Sequence, residues 1–248
     1  MVCRSSNQFL RSLTPTDYEL LRPHLTSVQL RQHAVLLATN TEITRAYFPD
    51  SSLISLIVVL GGGGTVEVGM IGRDGVAGAS AALGAPLALN DAVVQVPGVA
   101  EVIDIRHLKS AAERSGSMHA SLFMYCHFKR ALAQQSAACL ANHSAKARLC
   151  RWLLRMQDLT GLDDVPITQE FLARMLGVRR VSVTMIADRL QRGGLIRYRR
   201  GHIEIRDRSA LEHSACECYQ AINEQSAMLL EGESLSDPSR RAVRHVHK

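Results

Sequence analysis

One segment constrains the fold more than any other part of the chain: residues 167–208, ITQEFLARMLGVRRVSVTMIADRLQRGGLIRYRRGHIEIRDR. Apolar side chains recur at helical spacing in its first part, at Phe171, Leu172, Met175 and Leu176. Thr168 stands where the N-cap of that helix is expected, because its hydroxyl can accept a backbone N–H. Gly177 follows and favours a sharp turn.

A second apolar stripe follows this turn and predicts a second helix, formed by Val183, Ile186, Ala187 and Leu190. Gly193-Gly194 ends it. Two short runs then alternate around Gly201-His202, with Ile196 and Tyr198 before it and Ile203 and Ile205 after it. Helix, turn, helix and hairpin together predict a winged helix-turn-helix, a module that places one helix in the major groove of DNA.

The charge distribution supports this prediction. The chain has a net charge of +6, and residues 143–210 carry 14 basic and 7 acidic side chains. From Arg174 to Arg208 there are ten arginines and only three acids. A solvated basic face is the alternative interpretation, but its coincidence with the helix-turn-helix pattern favours DNA as the partner.

The N-terminal half has a different pattern, in which short apolar runs alternate with turn signals. The predicted strands are residues 28–30, 35–37, 46–48, 53–59, 66–71, 92–96 and 100–105. Seven short strands at this spacing predict a sandwich or barrel-like roll. The four glycines at 61–64 form a turn rather than a phosphate loop, because no Lys-Ser/Thr pair follows them.

Helical periodicity occupies much of the remaining chain. We expect one or two short helices in residues 8–25 and a helical region in 117–159, with a break near Asn142-His143. A closing helix is predicted for 210–230, and a polar, disordered tail for 231–248.

An apolar stripe marks the first part of the long helical region. It consists of Met118, Leu122, Tyr125, Leu132 and Leu140. Such a stripe on a helix between two domains predicts a two-fold dimer seam. The alternative is that these side chains pack on the β domain of their own chain.

The predicted fold class is therefore α+β. We expect a β-roll sensor domain with short helices in 1–110, a central dimerisation helix in 111–142 and a winged helix-turn-helix domain in 143–210. A C-terminal helix and tail follow in 211–248.

The cysteines and apolar runs point to the compartment. The six cysteines, at positions 3, 126, 139, 150, 216 and 218, are scattered as expected of reduced, buried thiols. Cys216-x-Cys218 is the only close pair, so we expect no structural zinc and no other metal.

No run approaches the roughly 20 apolar residues of a membrane span, and the N-terminus lacks an apolar signal core. We therefore expect a cytoplasmic protein without a membrane partner.

The order of β-roll, long helix and winged helix-turn-helix resembles the Crp-Fnr family of bacterial transcription regulators. The resemblance rests on Ile167-Thr168-Gln169-Glu170, on the Leu176-Gly177 turn and on Gly194-Leu195-Ile196 before the wing. Tyr47-Phe48-Pro49-Asp50 looks like the entry of this family's sensor roll. The likeness covers about residues 8–210.

The resemblance implies which side chains contact DNA. The second helix of the motif, about 179–192, would contact base edges through Arg179, Arg180, Val181, Thr184 and Met185. Arg180 matches a family position that contacts guanine, since a guanidinium can bond O6 and N7 together. Val181 and Met185 stand where the best-known relatives have Glu and Arg, so we expect a different operator.

Phosphate contacts are expected from polar side chains around this helix and from the wing, namely Thr168, Gln169, Ser182, Arg197, Arg199, Arg200 and His202. For the wing arginines, a solvated hairpin is the alternative. The resemblance implies double-stranded DNA as a partner and allows RNA polymerase as another.

The sensor cassette departs from cyclic-nucleotide-binding relatives, which use a Glu for the ribose and an Arg for the cyclic phosphate. The matching, degenerate stretch contains Gly72, Arg73 and Gly75 at its start and Asn90 and Asp91 near its end. An acidic Asp91 would repel a phosphate. We therefore expect no cyclic AMP binding and an unknown small-molecule effector.

Other cofactors of this family are also not expected. Four thiolate ligands for an iron–sulfur cluster are not found at suitable spacing, since Cys3 is the only N-terminal cysteine. Haem-binding relatives use a His or Cys near the central helix. His119, His127 and Cys126 lie there, but surface or buried histidines more often serve other roles.

The leading hypothesis is a homodimeric, sequence-specific transcription regulator with no cofactor. A small-molecule-binding or protein-interaction module, in which the helix-turn-helix is structural, remains the alternative. An enzyme is not expected, because the sequence contains no nucleophile elbow, His-Glu-x-x-His or P-loop.

Overall fold

A computed structural model describes residues 5–230. Within them, an N-terminal β-roll and a C-terminal winged domain are joined by a long helix. The predictions about Cys3 and about the tail at 231–248 lie outside the described residues. No helix between residues 5 and 230 is long and apolar enough to cross a bilayer.

Two short helices precede the roll, α1 (Gln8–Ser12) and α2 (Pro15–Leu21). Each begins at a polar N-cap, because the Asn7 side chain accepts from Leu10 N and the Thr14 side chain accepts from Asp17 N. Phe9, Leu10 and Leu21 bury their side chains against the roll.

All seven predicted strands are present. They are β1 (Thr26–Leu30), β2 (Val35–Leu37), β3 (Arg45–Pro49), β4 (Leu53–Val59), β5 (Thr65–Ile71), β6 (Asp91–Val96) and β7 (Gly98–Asp104). They form two antiparallel sheets, in the orders β1-β7-β3 and β2-β6-β4-β5. Ile54, Ile71, Val94 and Ala100 are buried together in the roll. The predicted α+β class is confirmed.

Two helices of the roll do not appear among the sequence predictions. Helix α3 (Ala79–Ala82) is a single turn, and α4 (Ile105–Arg114) begins directly after β7. Asp104 caps α4 by accepting from Arg106 N, and Leu108 and Ala111 are buried. Because strand β7 continues directly into α4, no Gly or Pro marks the boundary in the sequence.

The predicted helical region is split where expected. Helix α5 (Gly116–Asn142) ends at His143, which has extended backbone angles, and α6 (Ala145–Thr160) begins after Ser144. The Ser144 side chain caps α6 by accepting from Ala147 N. His143 and Ser144 therefore form the junction between the long helix and the C-terminal domain.

The winged domain contains β8 (Asp164–Pro166), α7 (Gln169–Leu176), α8 (Arg180–Arg192), β9 (Ile196–Arg199) and β10 (His202–Ile205). Its sheet has the order β8-β10-β9, and β8 was not predicted. The turn of the hairpin lies at Arg200-Gly201 and not at Gly201-His202. Both turn residues have positive φ, 44° and 83°, as a two-residue hairpin turn requires.

The predicted closing helix is two helices, α9 (Arg208–Ser214) and α10 (Cys218–Leu230). Asp207 caps α9, and Ala215 after it has an extended backbone. The prediction of one continuous helix over 210–230 is therefore wrong. The break places Cys216 and Cys218 in a tight connection beside the end of α5.

Candidate nucleic-acid interface

Helix α7 forms the first half of the candidate nucleic-acid interface. The Thr168 hydroxyl accepts from Phe171 N at 3.2 Å, and the helix ends at Gly177, whose φ of 62° favours glycine. Leu172 and Leu176 are buried in the domain core. This buried face fixes the angle at which α8 leaves the turn.

Helix α8 presents the predicted base-contacting residues to solvent. Its inner face buries Val183, Ala187 and Leu190. Four of the predicted residues are exposed on the outer face: Arg180, Val181, Thr184 and Met185. Val181 is 69% and Met185 53% exposed, so both apolar side chains are available for contact with a partner.

Arg179 differs in backbone conformation from the other predicted base contacts. It is the N-cap of α8, with an extended backbone, and its side chain makes no capping hydrogen bond. The helix therefore begins at Arg180 rather than at 179. The Arg179 guanidinium is exposed beside the first turn.

Two predicted contact residues are joined to each other across the motif. Thr184 Oγ1 donates to Gln169 Oε1 at 2.9 Å, and Gln169 N donates to the Tyr198 hydroxyl at 3.2 Å. The side chain of Gln169 is thereby oriented, with its NH₂ group left as a donor. Ser182 is half-buried on the neighbouring turn.

The wing arginines are not equivalent. Arg199 and Arg200 are exposed at the tip of the hairpin. Arg197 faces Glu204 across the hairpin at 3.8 Å, and His202 Nδ1 lies 3.3 Å from an Asp164 carboxylate oxygen. Arg197 and His202 therefore each have an acidic neighbour, whereas Arg199 and Arg200 at the tip of the hairpin are exposed cations.

The start of the predicted effector cassette packs on the C-terminal end of α6. A Cβ added to Gly72 would lie 2.6 Å from Leu159 Cβ. Arg73 N donates to Leu159 O at 3.2 Å, and Arg73 Nε donates to Asp158 O at 2.8 Å. These residues hold the roll against the winged domain.

The rest of the cassette is also occupied by contacts within the chain. A Cβ added to Gly75 would lie 2.2 Å from the Tyr125 hydroxyl. Asp91 accepts from both Thr39 N and Thr39 Oγ1, at 2.7 and 2.8 Å, and Asn90 beside it is half-buried. Asp91 is therefore a carboxylate that is hydrogen-bonded within the roll.

Two further polar contacts connect the roll to α6, and neither was predicted. Glu67 accepts from Ser55 Oγ at 2.6 Å and from Trp152 Nε1 at 2.8 Å. Asp74 forms a buried ion pair with Arg155. Burial raises the pKa of Glu67 from 4.5 to about 7, although the two donors and the Arg151 charge oppose the rise.

The predicted dimer seam requires a correction. Met118, Leu122 and Tyr125 are at most 2% exposed and belong to the core of their own N-terminal domain. They cannot form the centre of a contact with another chain. Leu132 is half-buried, and Leu140 is 55% exposed. Sequence periodicity identified an apolar stripe but could not distinguish which surface covers it.

A second face of α5 is exposed instead. Phe123 is 56% and Met124 39% exposed, and His127 follows one turn later. The exposed residues at heptad-like spacing are Ala120, Phe123, His127, Arg130, Gln134, Ala137 and Ala141. We call these seven residues the outer α5 face.

Comparison with known proteins gives the family of the C-terminal domain. Residues 147–214 match the Crp-like helix-turn-helix domain. No curated protein sequence matches the chain.

Solved structures extend the likeness to the N-terminal roll. FixK2 from Bradyrhizobium japonicum is 15% identical, with a TM-score of 0.67 over 77% of this chain and 98% of that one. A CRP-family transcriptional regulator from Thermus thermophilus is 19% identical, with a TM-score of 0.63 over 76% and 96%. The c-di-GMP-responsive regulator CLP from Xanthomonas campestris is 15% identical, with a TM-score of 0.60 over 78% and 100%.

The Thermus thermophilus and Xanthomonas campestris proteins are described as regulators. The chain carries a Crp-like helix-turn-helix domain on the fold of a Crp/Fnr-type transcription regulator.

Proposed function

We propose that this protein is a homodimeric transcription regulator that binds a specific DNA sequence. The observation that carries the proposal is the outer face of α8. There Arg180, Val181, Thr184 and Met185 project from a helix whose other face is fixed in a core, next to a basic wing. A rigid helix with exposed, mixed side chains beside phosphate-binding cations is what major-groove recognition requires.

Each side chain has a chemical role in this proposal. Arg180 donates two hydrogen bonds to a guanine, and Val181 and Met185 contact thymine methyl groups. Thr168 and Gln169 at the start of α7, with Arg199 and Arg200 of the wing, bind backbone phosphates. Arg179, Ser182, Arg197 and His202 are secondary contacts at the edges of this surface.

The dimer forms through the outer α5 face, in place of the buried stripe. Phe123 of this face is a large apolar side chain, 56% exposed on a helix between the two domains, and Met124 beside it is also exposed. A two-fold axis along α5 buries the same face of both chains and gives them a common orientation. The two α8 helices then contact half-sites about 34 Å apart.

The effector in this proposal is not cyclic AMP. Asp91 and the packing of Gly72 and Arg73 on α6 leave no cation for a cyclic phosphate within the cassette. The matched regulator CLP responds to c-di-GMP, so this fold serves other effectors. Because the cassette contacts α6 directly, a ligand that displaces it would also shift the winged domain.

Selection of DNA from a random pool, followed by binding measured against salt, tests the proposal. We expect enrichment of a two-fold symmetric site and a log–log salt slope of roughly −0.9 for each phosphate neutralised. Arg31→Ala, an exposed arginine on the roll, serves as the control and should leave affinity unchanged. Equal, weak binding to all sequences would contradict sequence-specific recognition.

A further inference from the structure

The structure brings together four side chains that sequence spacing did not connect. Cys139 and His143 stand one turn apart at the end of α5, and Cys216 and Cys218 flank the start of α10. Their ligand atoms all lie within 4.8 Å of one another. The prediction of no zinc rested on the lack of a second close pair, and folding supplies that pair from a distant helix.

The separations within this cluster suit one small ion. Cys139 Sγ lies 3.5 Å from Cys216 Sγ, and Cys218 Sγ lies 3.7 Å from His143 Nδ1. Tetrahedral ligands at about 2.3 Å from zinc for sulfur and about 2.0 Å for nitrogen stand roughly 3.5–3.8 Å apart. The sulfur–sulfur distance is far longer than a disulfide bond of about 2.05 Å.

The surrounding hydrogen bonds orient the ligand atoms. His143 Nε2 lies 2.9 Å from Glu217 Oε1, so its proton is held there and the Nδ1 lone pair faces the cysteines. Gln135 Nε2 donates to Cys218 Sγ at 3.0 Å, as an amide does to a thiolate. Glu217 therefore contacts the far nitrogen of His143, and Gln135 contacts the sulfur of Cys218, so both neighbours fix the positions of ligand side chains.

The local charge also fits. Three thiolates, a neutral imidazole and Zn²⁺ have a net charge of −1. Burial raises the pKa of the Cys139 and Cys216 thiols, and the nearby Arg151 charge opposes this rise. Arg151 Nε is buried and has no hydrogen-bond partner among residues 5–230. An anionic metal centre would give this buried donor a neighbour of opposite charge.

We propose that Cys139, His143, Cys216 and Cys218 form a tetrahedral zinc site. A Cys₃His set is typical of structural zinc and has no open position for substrate. The site lies at the α5–α6 junction and binds the α9–α10 connection to it. Zinc would therefore fix the winged domain and α10 relative to the long helix.

Metal content of the full-length protein tests this site directly. We expect one zinc ion per chain in protein purified under reducing conditions, and loss of that zinc in Cys139→Ser and Cys218→Ser. Cys126→Ser is the matched control, because Cys126 lies on the same helix but packs on the N-terminal core. Equal zinc in all four proteins would overturn the proposal.

Cobalt titration of the wild-type protein keeps the test independent of how the variants fold. Apoprotein titrated with Co²⁺ should develop thiolate charge-transfer and tetrahedral d–d absorption that zinc abolishes. No spectral change with fully reduced thiols would contradict the site. A Cys139–Cys216 disulfide in protein alkylated at lysis, or iron–sulfur absorption after anaerobic purification, would also contradict it.

Glu217→Ala tests the orientation of His143 without removing a ligand. Glu217 is 79% exposed, so the variant should fold. Zinc affinity should fall roughly tenfold, the smaller effect expected when a hydrogen-bond partner of a metal ligand is removed. Unchanged affinity would contradict the assigned role of Glu217 in orienting His143.

Discussion

At the scale of single residues, Arg180 is the side chain on which base recognition most depends. Arg180→Ala should weaken binding to the selected site by about 1–3 kcal/mol and relax preference at one base position. Arg180→Lys is the matched control for charge, because it keeps the cation but loses the two-pronged hydrogen bond. The preference should therefore be lost in both variants, as measured by competition with single-base site variants.

Arg199 tests the other class of contact. Arg199→Ala removes a cation at the wing tip, so it should weaken all DNA sequences alike and reduce the salt slope by about 1. Titrations of specific and random duplexes at several salt concentrations measure both effects. A loss confined to one site would show that Arg199 contacts a base and not a phosphate.

Gly75 is a residue whose importance is steric. A methyl group there would meet the Tyr125 hydroxyl at 2.2 Å, inside a closely packed core. We expect Gly75→Ala to lower the free energy of unfolding by about 1–3 kcal/mol, as overpacking does. Gly62→Ala, with no atom within 4 Å of the new Cβ, should change it by less than about 0.5 kcal/mol in the same denaturant titration.

At the scale of elements, α5 presents two faces with different partners. Its inner face is covered by the chain's own roll, and its outer α5 face carries Phe123 at 56% exposure. Phe123→Glu would bring two carboxylates together across a two-fold axis. The dimer dissociation constant should therefore rise about 100-fold or more, equivalent to about 3 kcal/mol.

Sedimentation velocity at micromolar concentration measures this change. Ser110→Glu, an exposed substitution on α4, adds the same charge away from the outer α5 face and should remain dimeric. A monomeric wild-type protein under these conditions would refute dimerisation through α5.

At the scale of the whole molecule, Glu67 makes the contact between roll and winged domain depend on pH. Its pKa rises from 4.5 to about 7 because the carboxyl is buried beneath Trp152. The folded protein then holds this proton more tightly than the unfolded chain. The stability contributed by the protonated form is therefore lost as pH rises from about 4.5 to about 7.

Glu67→Gln should remove this dependence. The variant keeps an acceptor for Trp152 Nε1 and carries no charge. Its free energy of unfolding should therefore exceed that of the wild type by about 1–3 kcal/mol at pH 8 and match it below pH 4.5. This difference in unfolding free energy is smaller than the full pKa shift would give, because residue 67 is half-buried and solvent screens part of its charge. Urea unfolding across pH measures it, with exposed Glu42→Gln as the control.

The sequence by itself determined the local elements of this protein. Short apolar runs between turn signals predicted the seven strands, helical periodicity with Gly177 predicted the helix-turn-helix, and the excess of arginine indicated its basic outer surface. Strand β8 was not predicted because it has only three residues, and helix α4 was not predicted because it follows β7 without a turn. Patterns of this kind report which face of an element is apolar, since neighbours along the chain decide it.

Only the tertiary structure decided what those faces meet. Met118 and Phe123 are both apolar residues of α5, yet one is buried in the roll and the other is exposed. Likewise, Glu67 contacts Trp152, which lies 85 residues away in the sequence, and Cys139 contacts Cys216, which lies 77 residues away. Periodicity contains no information about such distant partners, because chain topology and packing set them and both arise only when the whole chain folds.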